Sequence, residues 1–218
     1  MPNPAHPAPK RPAPRLYLVT PVVEDAAKFA GHLAEVLGSA DVAAVLLRLA
    51  PADERTQINR IKTLAPVAQA KDVALVLDGN TEIVAHGGAD GAHLTIEAFA
   101  DAIETLKPGR IAGCGGLQTR HDAMFAAERG ADYVVFGEPD QHGERPSFEA
   151  IAERIAWWAE VFEVPCVGYA ASRDEIAPLV SAGADFVAVG DFIWADERGP
   201  AAAIADAAGR LALAPEAV

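Results

Sequence analysis

The chain reads as a single-domain α/β protein of the (β/α)8 TIM-barrel class, and three observations predict it. From Arg15 onward, short β-branched runs alternate with helical stretches of ten or more residues, the pattern of βαβ units around a parallel sheet. Eight such runs fall within about 200 residues, the number that a closed barrel needs. The phrase Gly-Ala-Asp followed by an apolar run occurs at residues 88–90, 130–132 and 183–185, which implies one helix-to-strand loop design used repeatedly. A doubly wound open sheet shares the alternation, but eight units with no obvious reversal point favour closure.

Taken in order, residues 1–14 alternate proline with small residues and Lys10/Arg11 and lack the apolar core of a secretory signal. They read as a disordered or polyproline-like arm. The expected strands cover residues 16–20, 42–49, 73–77, 91–94, 110–114, 133–136, 166–168 and 186–189. In each Gly-Ala-Asp loop the glycine suits the left-handed position that ends a helix, and the aspartate suits a turn whose amides need an acceptor. Residues 137–146 form a long polar loop bounded by glycine and proline, suited to a lid. The Ala-rich stretch after Pro200 predicts a last helix, so the barrel is expected to span residues 15–212, followed by a frayed tail at 213–218.

Of 218 residues, 51% are hydrophobic and 22% charged, the composition of a protein with a sizeable core. The net charge of −13 opposes general affinity for nucleic acid or an anionic membrane, and no run of about 18 apolar residues suggests a span. Cys114 and Cys166 suggest neither a disulfide framework nor a zinc site, which fits a reducing cytoplasm. A small phosphorylated metabolite is the expected partner. Trp157 and Trp158 are adjacent on one helix and cannot face the same way, so one is left for a subunit contact in a homo-oligomer.

Active sites of such barrels are built from the loops after the strands. Gly168 and Tyr169 stand before Ser172 and Glu175, an S-x-x-E capping pattern, and Gly190 opens another short helical segment; together with Arg145 of the sixth loop they are the expected phosphate-binding set. Arg48 ends the second strand where it can neutralise an anion or pair with a carboxylate. Asp78 suits a general base or a magnesium ligand, with helix capping by Asp78 or Asn80 as the plainer alternative. His93 ends a strand and His121 opens the fifth helix, and histidine is the side chain suited to shuttle protons near neutral pH.

Several stretches together resemble the thiamine phosphate synthases and related thiazole tautomerases: residues 16–20 (Leu-Tyr-Leu-Val-Thr), 89–94 (Ala-Asp-Gly-Ala-His-Leu), 130–137 (Gly-Ala-Asp-Tyr-Val-Val-Phe-Gly) and 182–189 (Ala-Gly-Ala-Asp-Phe-Val-Ala-Val). The resemblance covers roughly residues 15–195. It implies a transferase of thiamine biosynthesis that joins a pyrimidine pyrophosphate to a thiazole phosphate with Mg2+, through a pyrimidine carbocation. On the family's motifs, Arg48 keeps the arginine of Gln-x-Arg-x-Lys while Ala50 stands at the lysine. Asp78-Gly79 falls on the Asn-Asp pair, and Glu97 stands near the second magnesium aspartate, so Asp78 and Glu97 are the implied metal ligands and Arg48, Asp78 and His93 the implied catalytic set. Arg145 is the cation left in the lid, and Gly168-Tyr169-Ala170 stands for Gly-Gly-Ile. Two other classes remain open: a non-catalytic binder of a phosphorylated metabolite, and a different isomerase or lyase on the same scaffold.

Overall fold

The computed structural model describes residues 12–140 and 142–214. Eight strands, β1 (Arg15–Val23), β2 (Val42–Leu49), β3 (Ala74–Asp78), β4 (Gly91–Thr95), β5 (Ile111–Gly115), β6 (Tyr133–Phe136), β7 (Cys166–Tyr169) and β8 (Phe186–Val189), close in chain order into a parallel barrel. Around it run α1 (Ala26–Leu37), α2 (Glu54–Gln69), α3 (Val84–Gly87), α4 (Ile96–Leu106), α5 (Arg120–Glu128), α6 (Phe148–Val161), α7 (Ile176–Ser181), α8 (Asp191–Trp194) and α9 (Pro200–Leu213). The expected TIM barrel is therefore observed. Most of the Pro-rich arm and residues 215–218 lie outside the described residues; α9 runs one residue past the expected limit at 212.

Polar side chains start four of the helices. Asp25 accepts from the Lys28 amide, Asp53 from Thr56 and Ser147 from Ala150, while Thr119 and Asp122 form a reciprocal capping box before α5. Apolar stripes then seat the helices. On α6, Ile151, Ile155 and Trp158 recur at helical spacing and are fully buried, Trp158 stacking on Phe162 at 4.0 Å and donating to the Val164 carbonyl. Trp157 is half-buried, covered by the Arg120 guanidinium and the edge of Phe162, so its own chain shields much of the indole expected at a subunit contact.

The Gly-Ala-Asp loops do something other than the expected turn-capping. Gly88, Gly130 and Gly183 take positive φ, as the helix ends require. The aspartates, however, reach sideways: Asp90 accepts from Leu75 N, Asp132 from Ala112 N and Asp185 from Cys166 N, at 2.7, 2.7 and 2.9 Å. Each carboxylate thus satisfies the first amides of the preceding strand and ties β3 to β4, β5 to β6 and β7 to β8.

Several strands extend further towards the mouth than their apolar runs suggest. Val23, Asp78, Thr95, Gly115 and Tyr169 are strand residues rather than loop residues, because ladder pairing continues past the apolar run. That places Asp78 and Tyr169 on rigid backbone at the C-terminal rim.

Candidate active site at the barrel mouth

The barrel interior is filled unevenly. Tyr17, Tyr133 and Tyr169 project inward, and β5 makes room for Tyr133 and its neighbours with glycines. A Cβ on Gly113 would collide with the Tyr133 ring, and one on Gly115 with the Glu138 carboxylate and the His93 imidazole. The glycines of β5 therefore shape a pocket for specific neighbours.

A hydrogen-bonded row crosses this floor. The Tyr17 and Tyr133 hydroxyls are 2.7 Å apart, Tyr133 Oη lies 3.4 Å from His93 Nδ1 with the two rings stacked, and His93 Nε2 donates to Glu138 Oε2 at 3.2 Å. The other oxygen of Glu138 accepts the Gly116 amide. Glu138 thereby joins the ends of β4, β5 and β6.

Electrostatics favour the charged forms of both His93 and Glu138. Burial disfavours the imidazolium, but the neighbouring Glu138 carboxylate, its hydrogen bond and Asp78 outweigh that and raise the pKa of His93. Burial likewise pushes Glu138 up, yet His93 and the Gly116 amide hold it below the usual glutamate value. Burial drives the pKa of Tyr17 and Tyr133 far upward, so both hydroxyls stay neutral.

Above the floor, three neighbouring cavities of about 370, 200 and 300 Å³ lie along the crevice at the mouth. The first two share Val135, Glu138 and Pro139; the second and third share Asp78, His93 and Thr95. Arg48, Asp78 and His93, the three expected catalytic residues, line the central cavity together with Tyr17 and Tyr169. The Asp78 carboxylate has no hydrogen-bond or ion-pair partner among the described residues, and its pKa is raised, chiefly by the protein crowding it on one side. The helix-capping alternative fails here: Asn80 takes a left-handed backbone without capping and donates to Gln57 Oε1 at 3.1 Å. Arg48 donates to the Thr20 carbonyl at 2.6 Å and pairs with Asp191 at 3.2 Å.

The expected phosphate-binding residues are not all gathered. Tyr169 lines the crevice and Gly190 lies beside it, a Cβ there reaching within 3.6 Å of Tyr169 Oη. Gly168 faces outward, where a Cβ would press on Ile155 and Leu179 at 2.9 and 3.0 Å. Arg145 lines the cavity of about 370 Å³ but is bound to Glu175. The S-x-x-E capping box does not form: Ser172 makes no side-chain cap bond, because the Glu175 carboxylate turns to Arg145 and the Ala171 amide. Glu97 is exposed on the first turn of α4 and does not line the crevice, and His121 is exposed on α5. Among the described residues no cluster of three or more His, Cys, Asp or Glu side chains is built to hold a metal ion. Asp78 offers an open carboxylate in the central cavity, which fits a magnesium ion completed by substrate phosphates and water rather than a protein-built cage.

Comparison with known proteins decides the family. A family model described as thiamine monophosphate synthase matches residues 16–193. The chain belongs to this family. A thiamine-phosphate synthase from Rhodospirillum centenum is 42% identical over 196 residues, covering 88% of this chain and 95% of that protein. One from Hyphomonas neptunium is 36% identical over 206 residues, covering 89% and 92%. The fold is shared with a thiamine phosphate pyrophosphorylase from Pyrococcus furiosus (TM-score 0.76, 20% identity, 91% and 95% covered) and, more distantly, with a 3-hexulose-6-phosphate synthase from Salmonella typhimurium (TM-score 0.70, 14% identity, 92% and 100% covered).

Glu138, Tyr133 and Tyr17 are site residues that sequence reasoning did not single out. The available signal was position: Gly137-Glu138 directly follows a strand run, and a carboxylate at the C-terminal end of a barrel strand reads as functional.

Proposed function

We propose that the chain joins a pyrimidine pyrophosphate to a thiazole phosphate, releasing pyrophosphate and forming thiamine phosphate. The observation that carries this reading is the convergence of Arg48, Asp78 and His93 on one crevice walled by tyrosines at the barrel mouth. In the transfer, the carbon–oxygen bond to pyrophosphate breaks and a carbon–nitrogen bond to the thiazole ring forms. Arg48 is suited to the leaving group. Its bond to Asp191 is largely exposed, and such a pair is weak enough to be exchanged for a phosphate oxygen. Tyr17 and Tyr169 offer aromatic faces to the planar rings and to positive charge developing on the pyrimidine.

Asp78 is the residue suited to hold Mg2+, which when bound would neutralise charge on the departing pyrophosphate. Tyr169, Gly190 and Arg145, with the backbone at Gly168, mark the end of the crevice assigned to the acceptor's phosphate. Incubation with hydroxymethylpyrimidine pyrophosphate, thiazole phosphate and Mg2+ tests the reading. Thiamine phosphate is the expected product, and Arg48→Met should lower kcat/KM about 100-fold, the scale of losing one charge-stabilising donor. Absence of product from the folded, unaltered chain overturns it.

A further inference from the structure

The guanidinium of Arg48 owes its aim to a residue that does not itself line the crevice. Between β1 and β2 the ladder pairs Val19 with Leu46 and Val22 with Arg48, so β1 places two residues, Thr20 and Pro21, opposite the single Leu47 of β2. Such a bulge at a barrel rim bends its strand and re-aims the side chains beside it. Pro21 suits the position, since it has no amide to leave unpaired and holds the residue before it extended. Thr20 is fully buried, and both of its oxygens turn to Arg48. The hydroxyl accepts the Arg48 amide at 3.0 Å, and the carbonyl accepts Arg48 Nε at 2.6 Å. With Nη2 on Asp191 at 3.2 Å the guanidinium is held along one edge, and among the described residues Nη1 has no protein partner. The first turn after β8 is docked on the same bulge: Trp194 Nε1 donates to the Val19 carbonyl at 2.8 Å, which seats α8, and with it Asp191, beside Arg48.

We propose that Thr20 is a positioning residue for the transfer: the bulge in β1 brings its hydroxyl and carbonyl onto Arg48, and this two-point clamp fixes the guanidinium where pyrophosphate departs. The inference rests on the transferase reading above. An arginine on a free stem must be ordered before it can meet an anion, and ordering it in the fold removes that entropy cost from the reaction. The hydroxyl is needed because the extra residue in β1 breaks the ladder at this point, and a buried Arg48 amide must still find an acceptor.

The test is a double-mutant cycle on kcat/KM for the pyrophosphate substrate. Thr20→Val keeps the shape and removes the hydroxyl; it should lower kcat/KM about tenfold, within the loss that misplacing a reacting group by about 1 Å brings. Thr20→Ser keeps the hydroxyl and should stay within about threefold of the unaltered chain, and in an Arg48→Met background Thr20→Val should cost less than about twofold, because no guanidinium remains to be aimed. A merely structural hydroxyl would lower both backgrounds equally, and that result overturns the proposal. So does a folded Thr20→Val that matches the unaltered chain, or a folded Thr20→Ser as poor as the valine variant. Where valine does not fold, Thr20→Ala takes its place in the same cycle. If the unaltered chain yields no product, the transferase reading fails, and calorimetry with inorganic pyrophosphate and Mg2+ then decides the role of Thr20 by itself. Weaker binding to Thr20→Val when Arg48 is present, but not in the Arg48→Met background, supports it; equal loss in both, no loss, or no binding at all refutes it.

Discussion

At the scale of single residues, the Glu138–His93 pair has a defined pH window. The raised pKa of His93 means that its charged form stabilises the fold fully below its ordinary value of 6.5, and that this contribution fades as pH climbs through the raised value. The lowered pKa of Glu138 means that its contribution is present above the ordinary 4.5 and fades as pH falls through the lowered value. Both are in force between those two values. Glu138→Gln should therefore cost on the order of 2 kcal/mol at about pH 5.5 and less at about pH 9. Denaturant melts of the two proteins at both pH values check this; equal losses would mean that the pair is not charged. The same residue shows what composition hides, since one glutamate among many acquires its role only because Gly115 leaves space for it.

At the scale of elements, the repeated Gly-Ala-Asp loop carries the argument. The glycine follows from local chemistry, because a helix ending in a left-handed residue favours glycine wherever the chain goes next. The aspartate does not, because its acceptor role belongs to an amide on a neighbouring strand, some twenty residues away in sequence. Asp132→Ala should leave the Ala112 amide without its partner and should remove the ion pair to Lys107, costing about 1–3 kcal/mol in equilibrium unfolding. A loss below about 0.5 kcal/mol, the scale of an ordinary surface change, would show that water replaces the carboxylate freely. The strand ends follow the same division. The apolar runs marked all eight strands, yet they stopped short of Asp78, Thr95, Gly115 and Tyr169, since polar, small or aromatic residues at a rim look like loop until the ladder that pairs them is formed.

At the scale of the whole molecule, a net charge of −13 surrounds a site read as taking a pyrophosphate. The general field repels that substrate, so screening should help it approach. Raising ionic strength from about 0.01 M to about 0.1 M shortens the Debye length from about 30 Å to about 10 Å, and kcat/KM for the pyrophosphate substrate should rise severalfold. A fall across that range would mean that local cations, Arg48 foremost, dominate the encounter. The barrel itself, its eight units, the glycine-ended helices and the gathering of Arg48, Asp78 and His93 at one rim were legible from the sequence alone. Alternation and strand-end position are properties of short segments, and closure of a parallel sheet brings all C-terminal strand ends to one face. Tertiary structure alone decided that Glu138 grips His93, that Glu175 turns away from its expected cap to hold Arg145, that Gly168 packs outward and that Glu97 stays clear of the crevice. Those outcomes depend on which side chains from distant segments compete for the same donor, and that competition is settled only when the strands have closed.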